Sequence, residues 1–86
     1  MKVYSVYRID DDGGIDFIGT FDTIEKANDV VKKDVEDIGN RVFGGAEYGF
    51  KQIRDDDRCQ MFNLSGYSDY LYIVFKTELN NVFADK

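Results

Sequence analysis

The chain has 86 residues, 17 acidic against 11 basic, a net charge of −6 at pH 7, and no histidine, proline or tryptophan. This length suits one domain with one core, and the 43% hydrophobic content argues against disorder. The lack of histidine and the single cysteine, Cys59, remove most metal-binding and nucleophilic machinery, and the negative charge argues against direct binding to nucleic acid or an anionic membrane.

Lys2 to Ile9 is rich in Val, Ile and Tyr and reads as a strand. Asp10-Asp11-Asp12-Gly13-Gly14 breaks it, with the residue types a tight hairpin requires. Ile15 to Phe21 reads as the returning strand. Asp22 then stands where a helix cap belongs, with Glu25 at capping-box spacing. Ile24, Ala27, Val30, Val31, Val35 and Ile38 recur at helical intervals, so the spacing predicts an amphipathic helix over 23–38. Gly39-Asn40 is the expected C-cap. On the outer face, Asp29–Lys33 and Lys33–Asp37 are spaced as i,i+4 ion pairs.

Residues 41–47 have no regular pattern, and Gly44-Gly45 marks a turn. Tyr48 to Arg54 reads as a third strand, with Phe50 and Ile53 as the inward candidates. Asp55-Asp56-Asp57 is a second acidic turn, flanked by Arg54 and Arg58 for local pairing. Arg58 to Leu64 reads as a fourth strand. Asp69 to Leu79 reads as a fifth, with Leu71, Ile73, Phe75, Thr77 and Leu79 on one face and Tyr70, Tyr72 and Val74 on the other. Residues 80–86 read as a C-terminal tail. The order β-β-α-β-β-β predicts a single α+β domain over 1–86. An antiparallel sheet of about five strands carries the helix on one face and leaves the other open. The tyrosine-bearing face of the last strand is the expected open one.

The acidic turn at Asp10 fails as an EF-hand calcium loop: the fifth, sixth and twelfth positions are Gly14, Ile15 and Phe21, and strands flank it. Both Asp triplets read as solvated turns, and Cys59, without an activating histidine, reads as structural. No Walker motif, G-x-G-x-x-G, nucleophile elbow or zinc spacing is present. The expectation is a non-enzymatic chain with no cofactor and no metal. The tyrosines are candidate contact residues, because Tyr adds area and a polar handle at low entropic cost. No apolar run reaches the ~18 residues of a membrane span. The N-terminus MKVYSVYRIDDD lacks a signal-peptide core. The expected location is therefore a reducing cytoplasm.

The strand opening at Met1-Lys2-Val3-Tyr4, the strand end Ile18-Gly19-Thr20-Phe21, the helix opening Thr23-Ile24-Glu25-Lys26-Ala27 and the closing Glu78-Leu79-Asn80 resemble those of small bacterial and phage proteins. In size and charge the chain also resembles phage-encoded inhibitors of host defence, the anti-CRISPR proteins. That class shares no motif, so no residue role carries over. The resemblance implies an inhibitor that occludes a basic or nucleic-acid-binding protein, some members presenting carboxylates where phosphates are expected. The candidate contact residues are Asp10, Asp11, Asp12, Glu36, Asp37, Asp55, Asp56, Asp57, Tyr67 and Tyr70. The competing expectation is a structural or assembly module that forms a homodimer through the open sheet face, taken as Tyr70, Tyr72 and Val74. A small-ligand or cation sensor is a third class.

Overall fold

A computed structural model describes residues 1–78. Strands β1 (Lys2–Ile9) and β2 (Ile15–Phe21) form a hairpin. Helix α1 (Ile24–Arg41) follows, and then β3 (Gly49–Asp55), β4 (Cys59–Ser65) and β5 (Asp69–Glu78). The five strands make one antiparallel sheet in the order β2-β1-β5-β4-β3. This is the small single-helix α+β architecture that the order of elements predicts. No helix among the described residues is long and apolar enough to cross a membrane.

The helix begins one residue later than its sequence signal. Thr23 caps it, its Oγ1 accepting from the Lys26 amide at 3.2 Å. Asp22 instead takes the Lys26 ammonium at 2.9 Å, as a carboxylate one turn ahead of a lysine does. The helix also runs past Gly39 to Arg41. Gly39 is no terminator: a Cβ there would lie 2.7 Å from the Tyr48 ring, so glycine makes room for packing. Of the expected ion pairs, neither Asp29–Lys33 nor Lys33–Asp37 is among those formed. Asp37 pairs with Arg41 at 2.6 Å, placing a cation in the last turn, where the helix dipole favours it.

The apolar stripe Ala27, Val31, Val35 and Ile38 lies against Val6, Phe62, Leu64, Tyr72 and Val74, with Phe43 closing the end of the core. Tyr72 and Val74 are wholly buried. This corrects the expected open face: Tyr70, Tyr72 and Val74 lie beneath the helix, and the open side belongs to Leu71, Ile73, Phe75 and Thr77. The fifth strand is apolar on both sides, so alternation alone does not choose which side the helix covers. The choice follows from β1 and β4, whose Val6, Phe62 and Leu64 share the Tyr72 side. Leu79 and the expected tail 80–86 lie outside the described residues.

Both edge pairings are irregular. The β1–β2 register shifts between Val6 and Tyr7, and the β3–β4 register between Gln52 and Arg54. Ile53 falls at the second shift and is exposed, whereas Phe50 packs on the core and stacks on Phe62.

Candidate functional site

The topology decides which candidate residues meet. The β1–β2 and β4–β5 turns share one end of the sheet, and the β3–β4 turn lies at the other. Asp10, Asp11 and Asp12 therefore sit at the same end as Tyr67. Asp55, Asp56 and Asp57 occupy the opposite end of the sheet. The two acidic triplets form two sites, not one.

At the first end, the hairpin is closed by the Asp10 amide donating to the Gly14 carbonyl at 2.8 Å and the Gly13 amide to the Asp10 carbonyl at 3.0 Å. Gly13 has φ +88°, the left-handed conformation this loop requires. Asp12 accepts from the Gly14 amide at 3.0 Å. Arg8 fixes the surroundings: its guanidinium reaches Asp10 at 3.2 Å, Asp16 at 2.7 Å and Asp34 of the helix at 2.8 Å. Tyr72 donates its hydroxyl to Asp34 at 2.5 Å. Burial disfavours the Arg8 charge, but the hydrogen bonds to Asp34 and Asp16 outweigh it and raise its pKa further. Burial, reinforced by Asp34, pushes the Tyr72 hydroxyl up, so it stays a neutral donor. Asp11 makes no hydrogen bond or ion pair with the described residues and points into solvent.

The helix contributes Glu36 and Asp37. Both are exposed; Asp37 is held by Arg41, whose hydrogen bond lowers its pKa, and Glu36 is unpaired. Tyr67 is 80% exposed at the tip of the β4–β5 turn. Tyr70 is half-buried against Phe43, with ring centroids 6.1 Å apart, and contributes mainly to the core. Only two of the six tyrosines are exposed, Tyr48 and Tyr67, and these two line one open cleft over Phe43.

At the opposite end the carboxylates are largely consumed by the turn. Asp56 accepts from Arg54 Nε at 2.6 Å and from the amides of Arg58 and Cys59 at 2.8 and 3.0 Å. The Arg54 bond first, and then the two amides, lower its pKa to about 2. Asp55 is held below the ordinary carboxylate range chiefly by Lys76, at 2.9 Å. The same ammonium reaches the Asp56 carbonyl at 2.8 Å. Only Asp57 of this triplet is without an ion pair. Of the two arginines expected to pair locally, Arg54 does so and Arg58 is in none of the ion pairs among the described residues, while Lys76, 20 residues away along the chain, is an unexpected partner.

Cys59 is buried. Among the described residues no group of three or more Asp, Glu, Cys or His is placed to hold a metal ion. A groove of about 220 Å³ runs between the helix and β3–β4, lined by Val31, Phe50 and Phe62 with Asn28, Lys32, Gln52 and Gln60. It exists because the helix lies over β1, β2 and β5 and leaves the other half of that face less covered. The Asn28 Oδ1 and Gln60 Oε1 atoms beside it are buried without a partner, an arrangement that an ordered water would satisfy.

Comparison with protein-family models, curated proteins and solved structures gives no match for this chain.

Proposed function

We propose that this chain is a non-enzymatic protein-binding domain that engages a basic or nucleic-acid-binding protein of a bacterial cytoplasm. In the sharper form it is an inhibitor of the anti-CRISPR kind, from a phage or mobile element. The observation that carries the reading is the end organised by Arg8. One guanidinium holds Asp10, Asp16 and Asp34 in fixed positions, and Asp11 is directed outward from the same hairpin, at the end of the sheet that also carries the exposed Tyr67. A turn fixed in this way loses little backbone freedom when its outward carboxylate meets a lysine or arginine, and a net charge of −6 steers the approach.

The test is recovery of a nucleic-acid-binding protein from bacterial lysate at low salt, its loss at high salt and its displacement by added DNA. Asp11→Asn with Asp12→Asn should then weaken the recovered complex by about tenfold or more, roughly the effect of losing one or two charge pairs. Unchanged affinity would refute the reading. The assembly-module alternative is favoured by a different observation, the apolar character of the open sheet face.

A further inference from the structure

We propose that the open face of the sheet is a homodimer interface, on which a second copy of this chain packs face to face. This does not rest on the acidic-end reading, since it uses the other side of the molecule.

The first argument is what the face displays. Phe17, Tyr7 and Phe75 form a continuous aromatic row across β2, β1 and β5, with centroid separations of 5.3 and 5.7 Å. Ile15 beside them is 66% exposed, Phe17 59% and Phe75 43%. Phe75 lies on β5, the central strand. The middle of a sheet is where a chain most readily hides an aromatic ring, and here the ring is half in water. Scattered exposed apolar residues are ordinary, but a contiguous patch over several strands marks a contact surface.

The second argument is charge, and it selects the occupant. Acidic residues crowd the turns and the helix, yet none stands on the open side within β1, β2 or β4, because Asp16 faces Arg8 on the helix side. On β5 the carboxylate on the open side is Asp69, at the first residue of the strand and held by Ser65 Oγ at 3.0 Å. Two copies of a −6 chain repel wherever their acidic surfaces meet. The open face is the region on which they approach with apolar groups opposed and with their acidic ends at the rim. A dimer axis through β5 would set Phe75 of both copies at the centre, next to the already buried Ile73, and the Phe17 rings towards the flanks.

The third argument is size. Five strands at ~4.8 Å spacing and about seven residues long present roughly 550 Å² in projection. Side-chain relief raises the accessible area towards the ~800 Å² per partner of a stable complex. The product would be two sheets about 10 Å apart with a helix on each outer side, related by a two-fold axis.

The test is sedimentation velocity of the full chain between about 1 and 100 μM, at low salt and at about 1 M salt. A dimer is expected, and it should tighten with salt as repulsion between like-charged copies is screened. A complex held by the acidic end should instead weaken, so the two readings fail separately. Phe17→Lys and Ile15→Lys, both on the exposed edge strand, should each weaken the dimer by about 30-fold or more, because every substitution enters the interface twice. Far-ultraviolet circular dichroism checks that both fold, and Lys33→Gln on the outer helix face should leave association unchanged. A monomer at about 100 μM under both salts would overturn the inference. So would a dimer that both folded variants leave intact, since its contact would lie elsewhere.

Discussion

The two faces of the sheet are built from the same strands and end in opposite states. On one side Val6, Leu64, Tyr72 and Val74 are sealed by the helix. On the other, one residue along each strand, Tyr7 and Phe75 stand beside Phe17 and Ile15 in partial or full contact with water. β5 alone does not account for this difference, since it is apolar on both sides; Val6 of β1 with Phe62 and Leu64 of β4 mark the side that the helix covers. A single helix of 18 residues can roof only one side. The other keeps its hydrophobic residues without a cover from the described chain. A strand apolar on both sides can therefore line a core on one side and leave aromatic rings in water on the other.

The contrast is sharpest in paired substitutions. Leu64→Ala, beneath the helix, should cost about 3 kcal/mol, within the range for fully buried leucine, and lower the melting temperature by more than ~10 °C. Ile15→Ser, on the open side, should change stability by less than about 0.5 kcal/mol. The comparison is made by urea denaturation at a concentration that keeps the chain monomeric. Similar losses from both would mean that the open face is already packed in the monomer.

An intermediate effect is expected at Arg8, which joins the first hairpin to the helix. Arg8→Ala should cost about 2–3 kcal/mol, below the figure for a fully buried pair because this cluster is partly exposed. It leaves Asp34 with the Tyr72 hydroxyl alone, so amide hydrogen exchange should quicken in the second half of the helix. A loss below ~0.5 kcal/mol would show that the network positions the hairpin without anchoring the helix.

The smallest effect is at the far turn. Asp56 and Asp55 have lowered pKa values, Asp56 to about 2. Their contribution is therefore complete above the unfolded carboxylate pKa of ~3.9 and is lost as pH falls towards ~2. The wild type should lose stability across that window, and Asp56→Asn should lose less over the same window from a lower starting value. A variant with the same pH slope as the wild type would show that Asp56 is not responsible.

Much of the architecture was legible in the chain. The Asp-Gly turn, the helical stripe and the period-two strands announced the element order, because each depends on neighbours in sequence. The cap was misplaced by one residue, since Asp22 and Thr23 are both competent caps and the choice turned on where Lys26 found a carboxylate. The open face was assigned to the wrong side because the decision rests on which partners β1 and β4 bring to β5. The Arg8–Asp34–Tyr72 network was invisible for the same reason: its members lie 26 and 38 residues apart. Gly66 stands in the β4–β5 turn, and a Cβ there would sit 2.6 Å from the buried Phe43 ring, a constraint that only the packed structure reveals.

The register shifts at the two edges of the sheet have a consequence for how far association can proceed. Both β2 and β3 are kinked where a neighbouring chain would have to continue the hydrogen-bond ladder, and bulges of this kind discourage strand-by-strand addition. Growth along the sheet is thus obstructed at both margins, while the broad face remains available. Contact through that face satisfies itself after one partner, so the geometry favours termination at two copies over a filament.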